Sequence, residues 1–236
     1  MNFSKNSFSQ GKKVIGMIRN VLPSSAQILC LTLTGSRAWG GVRDSSDFDI
    51  VGIYAANNYW DSVQLCRNGF DIDLYQFKDP LLYKRFYFFL DLSNYFYVNP
   101  KFEIAKFLKF GASATVKSYQ REIMIRMQTF KMSHLKKDAL HAYESLLASI
   151  YFLQKHKLTL NIFKITKDLN LPELKKLGVY QKEIFEEGMQ KLNTKGIEKE
   201  LEMLFKIYLR LISNTLNNLD TVKIQKWLKI EKQKFY

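Results

Sequence analysis

Two pairs of aspartates are the residues of this sequence most able to do chemistry. The pairs are Asp47 with Asp49 and Asp71 with Asp73, each separated by one residue. In an extended strand, alternate side chains project from the same face, so the two carboxylates of a pair would lie close together. Like charges at such a separation repel one another unless a cation lies between them. The spacing therefore predicts a cation site.

Carboxylate oxygens favour Mg²⁺, which binds through a few carboxylates together with substrate phosphates. Asp47 and Asp49, joined by one aspartate of the second pair, would hold two Mg²⁺ ions. One ion would activate an attacking oxygen, and the other would stabilise a leaving pyrophosphate. Both Asp71 and Asp73 lie on the same face of their strand, so the alternation leaves open which of them is the third carboxylate.

A glycine and a serine stand ahead of the first aspartate pair, with Ser36 lying 11 residues before Asp47. Gly35 would let the backbone turn tightly and approach a ligand without a Cβ in the way. The hydroxyl of Ser36 and the free N–H groups of such a turn suit phosphate oxygens. Arg37 would neutralise phosphate charge, with an outward surface position as its alternative. These residues predict a phosphate site beside the cation site.

The elements that must position these groups form a small α/β unit. Apolar residues recur at helical spacing over residues 14–22, which predicts an amphipathic first helix. Residues 28–33 predict a buried strand that ends before Gly35, and residues 47–54 and 70–77 alternate as half-buried strands do. We expect the order helix, strand, glycine turn, strand, loop, strand.

From about Pro80 onwards the pattern becomes helical. We expect an α+β fold in which a small mixed sheet, residues 1–98, is followed by a bundle of helices, residues 99–236. The predicted helices cover residues 81–92, 101–109, 115–130, 134–156, 180–193 and 196–218.

Together these stretches resemble the nucleotidyltransferases of the DNA polymerase β superfamily. The closer likeness is to its minimal prokaryotic members, which carry Gly-Ser-Arg-Ala-aromatic-Gly followed by Ser-Asp-apolar-Asp. The matching stretches of this chain are Gly35-Ser36-Arg37-Ala38-Trp39-Gly40 and Ser46-Asp47-Phe48-Asp49. Asn99-Pro100 followed by Glu103 is similar to a downstream stretch of that group. The resemblance covers roughly residues 28–110.

The resemblance implies an activity and a role for the residues that match. The activity is transfer of a nucleotidyl group from a nucleoside triphosphate, expected to be ATP, to an acceptor. Gly35 and Ser36 would hold the triphosphate, with Arg37 beside them. Asp47 and Asp49 would bind both metal ions.

The resemblance also implies that a third aspartate binds the catalytic ion and helps to deprotonate the acceptor hydroxyl. Asp73 fits this role better than Asp71, because the Asp-Leu-Tyr-Gln-Phe that begins at Asp73 matches the group more closely.

The charge distribution bears on the acceptor. Residues 1–100 hold 10 Lys/Arg against 8 Asp, whereas residues 101–236 hold 26 Lys/Arg against 14 Asp/Glu, so nearly all of the net charge of +14 lies in the second part. This asymmetry indicates a polyanionic partner such as RNA or an acidic protein, and its alternative is a solvated lysine-rich surface.

Several classes of protein are disfavoured by the sequence. Two cysteines and three histidines without short ligand spacing do not predict a zinc site. Neither a P-loop motif nor Gly-x-Gly-x-x-Gly occurs. No run approaches the roughly 20 apolar residues of a membrane span, so we expect no membrane partner and a cytoplasmic location.

Under the competing hypothesis, the protein has the same fold but does not catalyse nucleotidyl transfer. In that case the protein would be a non-catalytic nucleotide- or RNA-binding module, or an antitoxin-like protein. Transfer of label from a nucleoside triphosphate to an acceptor separates the two hypotheses, because only an enzyme leaves label behind.

Overall fold

The architecture comes from a computed structural model of the chain, which describes residues 10–39, 47–57, 61–78, 89, 94–155, 159, 161–171 and 195–215. Their contacts divide the chain into two compact units. The first unit holds the described residues up to Ala38 and those from Asp47 to Thr115. The second holds Trp39 and the described residues from Val116 onwards.

The first unit is built around a sheet with a helix beside it. In chain order its elements are α1 (Gly11–Arg19), β1 (Gln27–Leu33), α2 (Gly35–Trp39), β2 (Phe48–Ala55), β3 (Val63–Arg67), β4 (Phe70–Gln76) and β5 (Tyr95–Val98). All of α2 except its last residue belongs to this unit. The long helix α3 (Ile104–Ser133) begins in this unit and continues into the second.

The described strands form one mixed sheet in the order β3-β4-β2-β1-β5. Strands β2 and β4 are parallel neighbours, whereas the other pairs are antiparallel. Because β1 runs opposite to β2, the end of β1 lies at the same edge of the sheet as the starts of β2 and β4. This topology confirms the α+β class and brings the glycine–serine stretch to the edge where the two aspartate pairs begin.

One face of the sheet is covered by α1. Val14 and Ile18 of α1 belong to the same apolar cluster as Phe70, Ile72 and Leu74 of β4. Since side chains alternate along a strand, the aspartates between these three residues must project from the opposite face. Burial of the apolar positions against α1 therefore fixes which face of the sheet carries the acidic groups.

Aromatic rings fill the far end of that opposite side. The ring of Phe77, just after β4, lies 5.8 Å from the ring of Phe102 and 6.1 Å from that of Phe107. Phe89 contacts Phe107 in turn, at 6.4 Å between centroids. All four rings are buried, so they hold the first turn of α3 beside the end of β4.

The second unit is helical. It continues α3 and adds α4 (Lys136–Lys155), α5 (Ile162–Leu169) and α6 (Lys195–Thr215). Helix α4 is buried on most of its circumference, and its Tyr143 hydroxyl donates a 2.6 Å hydrogen bond to the Glu200 carboxylate of α6. The helices of this unit are therefore joined by a buried polar bond as well as by apolar packing.

The structure adds elements that the sequence patterns did not predict. β3 lies in the stretch that was expected to be a connection, and β5 lies between the helices predicted over residues 81–92 and 101–109, where no element was predicted. The predicted glycine turn is the short helix α2, and α5 is a further helix. Residues 101–109 and 115–130, predicted as two helices, belong largely to the single helix α3.

Some predictions fall outside the part of the chain that the structure describes. The helices predicted over residues 81–92 and 180–193 lie there almost entirely. The domain boundary near residue 98 stays a prediction, because the two contact units do not test independent folding. Among the described helices, none has the length and apolar character needed to cross a membrane.

Candidate active site

The turn after β1 is shaped by Gly35, which has a φ of +59° and begins α2. A Cβ at this position would lie only 1.8 Å from Oδ2 of Asp49 and 2.6 Å from its Cγ. The Thr34 N–H also donates to the carbonyl of Asp49, at 2.8 Å. Only glycine therefore allows the Asp49 carboxylate to lie against the start of α2.

The register between β2 and β4 determines which aspartates are neighbours. Asp49 lies directly opposite Asp71, and Val51 lies opposite Asp73. Parallel neighbours in register project from the same face, with their strands about 4.8 Å apart. Asp49 and Asp71 are thus adjacent across the sheet, and Asp73 follows one step further along β4, about 7 Å beyond Asp71.

Asp47 occupies the exposed edge of the sheet, just before β2. Its backbone carbonyl accepts a 3.2 Å hydrogen bond from Nε of Arg37. The guanidinium of Arg37 also lies over the ring of Phe48, at 3.7 Å, and that ring stacks on Phe70 at 5.2 Å. These contacts hold Arg37 at the same edge as Asp47 and Gly35.

Lys13 of α1 also contacts this stack, with its Nζ 5.2 Å from the Phe70 ring centre. Such cation–ring contacts are worth about 0.5–1 kcal/mol at exposed sites. Phe48 and Phe70 belong to the face that α1 covers, so Lys13 and Arg37 are positioned on that face, at the end of the sheet where the aspartate pairs begin.

Cys66 is a neighbour of the site that the sequence patterns did not single out. It lies opposite Asp71 in the β3–β4 register, and its thiol donates a 3.0 Å hydrogen bond to Oδ1 of Asp71. This hydrogen bond raises the pKa of the Cys66 thiol, and the charges of Asp71, Asp73 and Asp47 raise it further. The sequence patterns could not reveal this contact, because Cys66 lies in β3 and that strand was not predicted.

The predicted aspartates lie at one edge of the sheet, and Asp49, Asp71 and Asp73 share the face opposite to α1, but their carboxylates do not converge on a single point. Arg37 instead stacks on Phe48, on the face that α1 covers. Asp49 lies against Gly35, whereas Asp71 is engaged with Cys66. Within the described part of the chain, no three His, Cys, Asp or Glu side chains are grouped so that they could hold a metal ion together. Hard oxygen donors of this kind suit Mg²⁺, and a cation would have to draw the carboxylates of β2 and β4 together. The three-carboxylate site stays a prediction.

A separate cleft of about 430 Å³ lies at the opposite end of β1, lined in part by Arg19, Gln27, Tyr97 and Asn99. None of the predicted site residues lines it. The acidic edge is therefore not part of this cleft.

Comparisons with known proteins add little to this geometry. No family model matches the chain, and a search of curated proteins finds no match. Among solved structures, a nucleotidyltransferase-like protein from Exiguobacterium sibiricum 255-15 matches with 13% identity over 92% of this chain and 77% of its own, at a TM-score of 0.29. A likeness at that TM-score does not establish what this chain does.

Proposed function

We propose that this protein transfers a nucleotidyl group from a nucleoside triphosphate, most simply ATP, to an acceptor, with Mg²⁺ held by aspartates of β2 and β4. The observation that supports the proposal is the adjacency of Asp49 and Asp71 at the edge where Gly35 begins α2. The starts of β2 and β4 meet the turn at Gly35 at this edge of the sheet. The resemblance to the minimal nucleotidyltransferases adds the reaction class.

In the proposed reaction, an acceptor oxygen attacks the α-phosphorus, the bond from that phosphorus to the bridging oxygen breaks, and pyrophosphate leaves. Bound Mg²⁺ would neutralise charge on the phosphates and on the leaving pyrophosphate. Residues of the chain position the triphosphate. The Ser36 hydroxyl and the N–H groups of α2 bind phosphate oxygens, and Arg37 offsets the negative charge of those oxygens. A carboxylate of β4 takes the proton of the acceptor hydroxyl.

Positioning and charge neutralisation account for most of the catalysis of such transfers, so this short set of residues is chemically sufficient. The stacking of Arg37 on Phe48 and its bond to the Asp47 carbonyl hold it near the turn, and its guanidinium would have to leave the Phe48 ring and turn towards the face of the aspartates to offset phosphate charge. The two contacts are with Asp47 and Phe48, so Arg37 also joins the turn at Gly35 to the start of β2.

The decisive experiment follows the transfer of label from α-³²P-ATP in the presence of Mg²⁺ to acceptors in a cell extract. Asp49→Asn should reduce transfer by roughly 10²–10³-fold, as loss of a preorganised charge-stabilising group does. Asp61→Asn is the matched control, because Asp61 is exposed and lies in the loop before β3. Equal transfer by the wild type and Asp49→Asn would sink the proposal.

The same assay separates Asp71 from Asp73. The motif favours Asp73 as the third carboxylate, whereas the register places Asp71 nearer to Asp49. If Asp73→Asn abolishes transfer and Asp71→Asn reduces it only several-fold, Asp73 is the proton acceptor. The opposite pattern assigns that role to Asp71.

One observation favours a second function, that of a nucleotide-binding protein without turnover. The Asp49 carboxylate lies against Gly35 while that of Asp71 accepts from Cys66, and the described residues include no ready group of three metal ligands. Such a protein would bind ATP, measured by calorimetry, without leaving label on any acceptor. RNA and an acidic protein both remain proposed partners for the basic second part of the chain.

A further inference from the structure

The second half of α3 exposes an apolar stripe to solvent. The exposed fractions are 58% for Met124, 46% for Ile125 and 77% for Met132. On the opposite side of the same helix, Ile123 and Phe130 are buried. Single exposed apolar residues are common on protein surfaces, but three on one helix face that is turned away from the core indicate an interaction surface.

The stripe has a defined width and length. At 100° per residue, six side chains fall within about 120° of the helix circumference and extend for about 17 Å, or three turns. We call them the α3 stripe: Arg121, Met124, Ile125, Gln128, Lys131 and Met132. A partner helix of about 12–14 residues would cover this length.

The charges on the α3 stripe are all positive. Arg121 and Lys131 are exposed and stand at its two ends. The acid of this segment, Glu122, lies off the stripe, where it forms a 2.6 Å ion pair with Arg126. The surface is therefore a methionine-rich apolar strip with a cation at each end. Methionine suits such a surface because its flexible, polarisable side chain adapts to a partner.

We propose that the α3 stripe is a docking surface for an acidic amphipathic helix of a partner protein. The apolar face of the partner would cover Met124, Ile125 and Met132, and its carboxylates would approach Arg121 and Lys131. This inference uses the second unit alone and does not depend on the proposed nucleotidyl transfer.

Charge and composition disfavour the other occupants. A second copy of this chain would bring Arg121 and Lys131 against their own counterparts or against each other, in a chain whose net charge is already +14. Nucleic acid is recognised through phosphates and stacked bases, and the stripe has no aromatic ring for stacking. A membrane-surface helix would carry larger apolar groups such as Trp, Phe and Leu, which the stripe also lacks.

The test uses a synthetic peptide of about 14 residues, with leucines on one helical face and glutamates flanking them. Fluorescence anisotropy measures its binding to the full chain. Two control peptides keep the same composition with the leucines scattered, or replace glutamate by lysine. The triple variant Met124→Ser, Ile125→Ser, Met132→Ser should weaken binding of the amphipathic acidic peptide at least 10-fold. Leu209→Ser, which alters an exposed apolar residue of α6, should leave that binding unchanged.

Four outcomes would overturn the inference. In one, the triple variant binds the peptide as tightly as the wild type. In another, the scattered peptide binds equally well, which would show that charge alone is responsible. The wild type could sediment as a dimer that the triple variant turns into a monomer, so that a second copy is the occupant. Finally, the triple substitution could weaken binding of single-stranded RNA or of anionic phosphatidylserine vesicles instead.

Discussion

At the scale of single residues, Gly35 couples the backbone turn to the position of a carboxylate. Its φ of +59° lies in the region that disfavours side chains, and a Cβ would fall on the Asp49 carboxylate. Gly35→Ala should therefore lower the free energy of unfolding by about 1–2 kcal/mol through backbone strain alone. Because the clashing atoms belong to the end of the Asp49 side chain, that side chain must also move. We expect nucleotidyl transfer to fall at least 10-fold, measured with labelled ATP.

Gly16 provides the matched control for Gly35. It lies in α1, is exposed, and a Cβ there would meet nothing within 4 Å. Gly16→Ala should raise the free energy of unfolding by about 0.5–1 kcal/mol, because alanine loses less backbone entropy in a helix. Urea unfolding of the two variants gives the comparison. Stabilisation by both substitutions would contradict the account of Gly35.

The reactivity of the Cys66 thiol depends on its contact with the Asp71 carboxylate. The hydrogen bond to Asp71 and the nearby negative charges raise the pKa of its thiol, so less thiolate is present at a given pH. Because the thiolate is the form that reacts, iodoacetamide at pH 8 should modify Cys66 more slowly than a cysteine in a short peptide.

Asp71→Asn should speed this modification several-fold and move its pH midpoint downwards, because it removes both the hydrogen bond to a charged acceptor and one negative charge. Cys30, which is buried, should stay unmodified in the folded protein. An unchanged rate in Asp71→Asn would show that the thiol and the carboxylate do not interact in solution.

At the scale of elements, β2 is packed tightly between β1 and β4, and this packing fixes the strand that carries Asp49. A Cβ at Gly52 would come within 2.5 Å of Cδ2 of Leu31 and 2.7 Å of Cδ2 of Leu74, and both leucines are buried. Gly52→Ala should overpack this contact and cost about 1–3 kcal/mol of unfolding free energy. Adding Leu74→Val should recover part of the loss, so that the double variant is more stable than the two single effects predict. Strict additivity would mean that the sheet shifts elsewhere to accept the methyl group.

The elements show why part of the fold followed from the sequence. β1, β2 and β4 are long enough for their burial or alternation to be visible, and their bounds agree with the predicted strands to within about a residue. β3 was missed because its five residues at the sheet edge mix Val63 and Leu65 with exposed polar neighbours. A short edge strand like this is stabilised by its partner β4, not by its own pattern.

The predicted site shows the same limit. Alternation correctly placed Asp71 and Asp73 on one face, but their alignment with Asp49 depends on the β2–β4 register, which local sequence does not contain. The eight-residue helix α5 was also missed, although Asn161 caps its start by accepting from the Lys164 N–H and Asn170 ends it in a left-handed conformation. Its caps are visible in the sequence only after its position is known.

At the scale of the whole molecule, the candidate chemistry and the candidate docking surface belong to different contact units. All of the predicted site residues lie in the first unit, and the α3 stripe lies in the second. This arrangement would allow the second unit to select the acceptor while the first performs the reaction. If so, the triple α3 stripe variant should raise the KM for a protein acceptor and leave kcat unchanged, which steady-state assays with a purified acceptor would measure. A fall in kcat at saturating acceptor would instead place the stripe in the reaction itself.

A final prediction concerns whether loss of a hydrogen bond in the second unit changes the reactivity of Cys66 in the first. The Tyr143 hydroxyl donates a 2.6 Å hydrogen bond to Glu200, which is buried. The Tyr151 hydroxyl donates a 2.7 Å hydrogen bond to Asp168, which is exposed. Hydrogen bonds to charged groups are worth about 1.5–3 kcal/mol when buried, and an exposed acceptor can turn to water instead. Tyr143→Phe should therefore lower Tm by several degrees in calorimetry, and Tyr151→Phe by much less.

Alkylation of Cys66, in the first unit, should keep its wild-type rate in both variants at 25 °C. Faster alkylation in Tyr143→Phe alone would show that the buried Tyr143–Glu200 bond of the helical unit also stabilises the acidic edge of the sheet.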